Sequence, residues 1–191
     1  MQMTNEAATL CEESNSVLLV IDVQTHLTAI MPAKVLARLQ RNIGMLLKAA
    51  ALLEIPVFAT EQYPKGLGNL EKDIVDLLPA ETRRYEKTVF SCAGISSFTA
   101  ALQATTRKQV ILVGMEAHVC VMQSALDLIG QGYDVFVVVD AICSRHRENY
   151  ETALSRLRWS GATILDAESV MYEWMRDAGH RHFKSLQAFI A

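Results

Sequence analysis

Short runs of aliphatic and β-branched residues alternate with helical patterns along the whole chain. The runs at 17–23, 56–60, 84–88, 109–114 and 134–139, with a weaker one at 162–165, have the length and composition of strands. Between the first two, Val35, Leu36, Leu39, Ile43, Leu46, Leu47 and Ala50 recur at 3.6-residue spacing and mark one apolar face of a long helix. Similar helices are read at 95–104, 118–131 and 148–160, and Gly132 and Gly161 fall where helix C-caps belong.

Repeated β-α units predict an α/β fold: a single-domain three-layer α/β/α sandwich around a mainly parallel, six-stranded, Rossmann-like sheet. The 191 residues suit one domain, with 1–15 expected as a flexible N-terminus and 166–191 as a C-terminal helical extension. In that extension Met171, Trp174, Phe183, Leu186 and Ile190 predict a packed helix or an oligomer contact. Ligand crevices in such sheets lie at the carboxyl ends of the strands. That rule selects Asp22, Gln24, Glu61, Lys87, Glu116 and Cys120. The connection 62–81, with Pro64, Gly66, Gly68 and Pro79, reads as a lid or substrate loop.

Composition removes several function classes. A net charge of −3 with dispersed basic residues predicts no nucleic-acid partner, and the apolar runs are too short to span a membrane. Cys11, Cys92, Cys120 and Cys143 form no Cys-x-x-Cys pair, so a reducing, cytoplasmic setting is expected. The polar start, through Ser16, reads as neither a signal nor a transit peptide. His180-Arg181-His182 reads as a solvated helix start, since no carboxylate or thiolate beside it completes a metal-ligand set. No Gly-x-Gly-x-x-Gly follows the first strand, so no dinucleotide cofactor is expected.

The strand-end residues are chemically coherent. Cys120 stands where an apolar run breaks into a helical pattern, and a thiol at a helix N-terminus is expected to favour the thiolate. Its other reading is a small buried apolar residue. Asp22 ends the first strand, either as a turn former or as a base for the thiol. Lys87 is a surface lysine or, at a strand end, a buried ammonium beside Asp22 and Cys120. His118 pairs with the thiol, lines the pocket or bonds a helix terminus. Gln24 contacts substrate or caps its turn, Tyr63 lines or shields the pocket, and Cys143 reads as structural.

Three segments in register, Val-Ile-Asp22-Val-Gln, Glu-Lys87-Thr-Val-Phe-Ser and Gly-Met-Glu-Ala-His-Val-Cys120-Val, resemble the isochorismatase-like cysteine hydrolase superfamily from Val17 to about Met175. Thr60 to Gly68 looks most like the isochorismatase domain-containing protein subgroup. The resemblance implies a catalytic Asp22, Lys87 and Cys120 and a cis Met115-Glu116 peptide. It also implies an oxyanion hole from the backbone N–H groups of Glu116 and Cys120, thioester chemistry on a small-molecule amide, and a homo-oligomer. The Asp-x-His metal motif of the superfamily's nicotinamidases is absent, so no metal is expected, and Glu61 reads as a hydrogen-bond acceptor. Two other readings stay open: vinyl-ether hydrolysis of an isochorismate-like acid, and an oligomeric binding or scaffold protein with little turnover.

Overall fold

The computed structural model describes residues 10–190. Six strands form one sheet in the order β3-β2-β1-β4-β5-β6, and every neighbouring pair is parallel. They are β1 (Ser16–Ile21), β2 (Val57–Gln62), β3 (Arg83–Lys87), β4 (Gln109–Met115), β5 (Asp134–Cys143) and β6 (Thr163–Leu165). The chain builds outward from β1 through β2 to β3, then returns to add β4 on the other side. That reversal places the crevice between the carboxyl ends of β1 and β4.

Period-2 alternation in β1 sorts the core into two layers. Leu18 and Val20 pack with Leu39, Ile43, Leu46 and Leu47 of α2 (Ala33–Leu52). Val17, Leu19 and Ile21 face Phe98 and Leu102 of α5 (Ser96–Ala104). Both faces being covered explains why the central strands read as continuous apolar runs. The same layer holds Leu128 of α6 (Met122–Gly130) and Leu154 and Leu157 of α7 (Arg147–Trp159).

Several boundaries differ from the sequence reading. The first strand stops at Ile21 because Asp22 turns into the left-handed region at φ 51°. β5 runs to Cys143, with a register shift against β4 between Leu112 and Gly114 that absorbs the extra residues. The connection after β2 is not open loop throughout, since it holds α3 (Pro64–Leu67) and α4 (Lys72–Val75).

The extension at 166–191 forms α8 (Ala167–Met175) and α9 (Phe183–Ile190), with Trp174 and Leu186 buried against the α2 layer. Of the stretch expected to be flexible, residues 1–9 lie outside the described residues. The part that follows is tied down instead. Cys11 is buried, its N–H donates to Glu173 at 2.7 Å, and the Glu12 N–H donates to the Gln109 side chain at 2.7 Å. Such partners fix a backbone that has no regular structure of its own.

Candidate active site

Asp22 leaves the sheet where β1 ends, and its left-handed φ of 51° is a conformation Asp tolerates better than most residues. Its carboxylate is fully buried, so each oxygen needs a partner. Thr60 Oγ1 donates to Oδ1 at 2.7 Å, and Lys87 Nζ donates to Oδ2 at 2.7 Å. Lys87, the last residue of β3, has its side chain wholly removed from solvent. An ammonium carries three hydrogens. They go to Asp22, to Gln62 Oε1 at 2.6 Å and to the Phe90 carbonyl at 3.0 Å.

Cys120 lies on a π-helical turn, Ala117–Val121, between β4 and α6. Its sulfur is 3.9 Å from Gln62 Oε1, which joins it to the Asp22–Lys87 pair. The structure corrects one expectation about this thiol. Burial, and next the negative charge of Asp22, push it up to about 12 from an ordinary 9.0, against an opposing pull from Lys87. The helix-terminus argument for a resting thiolate is outweighed by desolvation, because the sulfur is buried rather than presented to water. At neutral pH the group is S–H, with a carboxylate close enough to take its proton.

The remaining sequence candidates fall around this centre. Glu116 is nearly buried, its peptide bond to Met115 is cis, and its carboxylate faces Arg145 and His118 at 3.4 to 3.8 Å. His118 does not pair with the thiol. Its Nδ1 lies 2.9 Å from Ser144 Oγ and its Nε2 3.4 Å from Asn149 Nδ2, on the β5–α7 side. Gln24 is fully buried and clamps the end of β2: its Oε1 accepts from Gln62 N–H at 2.7 Å, and its Nε2 donates to the Gln62 and Gly68 carbonyls at 3.0 and 2.6 Å. Those bonds occupy the amide, so direct substrate contact is not where the structure places it.

Tyr63 is half exposed at φ 38° and lines a cavity of about 330 Å³ with Pro64, Lys65, Glu86, Lys87 and Thr88. Three larger cavities, about 610, 830 and 380 Å³, open away from this centre, beside Val57 and Arg83, beside Glu12 and Arg107 and beside Lys108 and Tyr133. Size therefore does not select the site; the buried charge pair beside a thiol does. Glu61 accepts from Leu70 N–H at 2.7 Å, and among the described residues no group of three or more His, Cys, Asp and Glu lies placed to hold a metal. Cys143 is buried in the core layer of α2, as a structural residue would be.

Two polar partners escaped the sequence reading, Thr60 and Gln62. β2 extends two residues beyond the apolar run, and alternation puts Thr60 and Gln62 on one face of it. The signal was a Thr and a Gln two apart at a strand end, which periodicity weighed only as loss of hydrophobicity.

A family model described as the isochorismatase domain matches residues 16–169. Isochorismatase family protein 1B of Dictyostelium discoideum is 39% identical over 137 residues, covering 70% of this chain and 66% of its own length. Isochorismatase domain-containing protein 1 of Danio rerio is 42% identical over 146 residues, covering 76% of this chain and 50% of its own. The chain thus spans about half to two thirds of those relatives. Among solved structures, MAR1 ribonuclease of Caenorhabditis elegans superposes with a TM-score of 0.90 at 34% identity, over 95% of this chain and 92% of its own. The YcaC product of Escherichia coli, described as an octameric hydrolase of unknown specificity, superposes with a TM-score of 0.86 at 24% identity, over 96% and 90%.

Proposed function

The chain belongs to the isochorismatase domain family, and from that premise we propose that it is a metal-independent cysteine hydrolase of small amides or related C–N bonds. The observation that carries the reading is the buried Asp22–Lys87 pair at 2.7 Å beside a thiol that is protonated at rest. A neutral thiol needs a base at the moment of attack, and a carboxylate held by an ammonium and a hydroxyl is a positioned base.

The steps follow from those groups. Cys120 Sγ bonds to the substrate carbonyl carbon as its proton passes to Asp22. The carbonyl oxygen becomes an oxyanion held by the backbone N–H groups of Glu116 and Cys120, donors of a kind that contributes about 2.7 to 4 kcal/mol to a transition state. On collapse the C–N bond breaks, and the leaving nitrogen takes the proton from Asp22. Water then attacks the thioester, passes its proton to Asp22, and the returning sulfur recovers it. Lys87 keeps the carboxylate in place throughout and offsets its charge. Tyr63, at the mouth, is assigned to substrate. Gln24 and His118 act from behind the site through the bonds already given. A homo-oligomer is part of the proposal, and light scattering on the purified protein tests it.

The likeness to a protein described as a ribonuclease favours one second reading, RNA cleavage. The net charge of −3 weighs against it. A screen of small amides, ureas, isochorismate and a single-stranded RNA, with wild type beside Cys120→Ser, separates the readings. Amide turnover that collapses in Cys120→Ser supports the proposal. Vinyl-ether or RNA turnover that survives the substitution overturns it, and no turnover of any of these substrates points to a binding protein.

A further inference from the structure

Gln62 is buried, and its neighbours leave it a single orientation. Its backbone N–H donates to Gln24 Oε1 at 2.7 Å and its carbonyl accepts from Gln24 Nε2 at 3.0 Å. Its side-chain Nε2 donates to the Thr88 carbonyl at 2.8 Å. With that nitrogen pinned, Oε1 points at Lys87 Nζ, 2.6 Å away, and at Cys120 Sγ, 3.9 Å away. A flipped amide would set its N–H groups against the Lys87 ammonium and its oxygen against the Thr88 carbonyl, so the orientation is forced.

This arrangement has a chemical consequence for the sulfur. The charged groups that bear on Cys120 are Asp22 from the end of β1 and Lys87 from the end of β3. Lys87 is the one that stabilises a thiolate, yet its three hydrogens are taken by Asp22, Gln62 and Phe90. Lys87 and Asp22 both lie within reach of the sulfur, and a carbonyl oxygen, Gln62 Oε1, faces it beside them; that oxygen accepts from S–H and repels S⁻.

We propose that Gln62 is a positioning residue that helps hold Cys120 in its protonated form until a substrate carbonyl is bound, by accepting from the S–H and by drawing one Lys87 hydrogen away from the sulfur. The resting enzyme then resists oxidation and stray electrophiles, both of which act on thiolate. Ionisation is coupled to attack, with the S–H proton going to Asp22 as the S–C bond forms. The role rests on the reading of Cys120 as nucleophile, but its test needs no turnover.

The test compares Gln62→Met, which removes the acceptor at similar size, with Gln62→Glu, which adds negative charge. Initial rates of iodoacetamide addition to the Cys120 peptide are read by mass spectrometry near pH 8, with Cys92 and Cys143 as internal references. A fall of about one pH unit in the thiol's ionisation raises the thiolate fraction about tenfold and lowers its nucleophilicity about threefold, a net gain of about threefold. Gln62→Met is expected to react about threefold or more faster than wild type at Cys120 alone, and Gln62→Glu slower. Equal or slower reaction of Gln62→Met overturns the proposal. So does acceleration of both variants, or of Cys92 and Cys143 together with Cys120, which reports loosening. If Cys120→Ser keeps its turnover, the hydrolase reading fails while the alkylation result still stands or falls alone.

Discussion

Asp22→Asn isolates the buried pair at the centre of the site. The substitution keeps the shape of the side chain and an oxygen for the Thr60 hydroxyl. It removes the carboxylate that pairs with Lys87, whose side chain has no solvent to turn to. What remains around the ammonium is two neutral carbonyls, those of Gln62 and Phe90. Breaking a buried pair by deleting one partner costs about 3 to 5 kcal/mol. For a chain of this size each kcal/mol lowers the thermal midpoint by about 2 to 4 °C, so a fall of about 6 to 20 °C is expected. Lys87→Met alone strands the carboxylate and is expected to cost a similar amount. The double variant has no charge to strand, so it should recover most of the loss while remaining without turnover. Thermal unfolding of the four proteins by circular dichroism measures the coupling. A midpoint change below about 2 °C in the single variants, or additive losses in the double, refutes the buried-pair account.

Other expectations follow from the same geometry. Gly114 has φ +119°, and a Cβ there would lie 2.0 Å from the Ile21 carbonyl oxygen, so Gly114→Ala should abolish soluble folded protein. At Gly132, φ +81° with open space around it, the same change should cost only about 1 to 2 kcal/mol in urea unfolding. Gln24→Ala removes three buried bonds to Gln62 and Gly68; a loss of about 2 to 4 kcal/mol is expected, with faster hydrogen exchange confined to the segment after β2. Burial raises Cys92 to about 11 and Cys120 and Cys143 to about 12 from 9.0, so the folded state holds these protons more tightly than the unfolded one. Stability from this source is complete below pH 9.0 and is lost as pH rises toward 12, so the unfolding midpoint should fall over that range. A flat alkaline profile contradicts it.

The parallel sheet is legible because strands buried on both faces read as unbroken apolar runs, and the crevice rule draws Asp22, Lys87 and Cys120 to one edge from the sequence alone. Other features were hidden for physical reasons. Thr60 and Gln62 are polar residues inside a strand: the apolar run 56–60 ends on Thr60, where a polar residue marks only the end of the pattern, and stops before Gln62. The tied-down stretch around Cys11 has no pattern of its own, since its order comes from partners about 100 to 160 residues away in sequence. The state of the thiol was misjudged because a sequence shows a helix start but not how deeply the sulfur is buried. Gln24 and His118 were recognised as polar residues near the site, while the partners that occupy them, the backbone of Gln62 and the hydroxyl of Ser144, emerge only from the fold.

The central claim is that Cys120 carries the acyl group. Acid quenching during turnover of an amide found in the screen, followed by peptide mass mapping, tests it most directly. The account predicts the mass of the acyl group on the peptide that contains Cys120 and no such mass in Cys120→Ser, which should also have lost turnover. An acyl group on any other residue, or undiminished turnover by Cys120→Ser with no adduct at all, would contradict it.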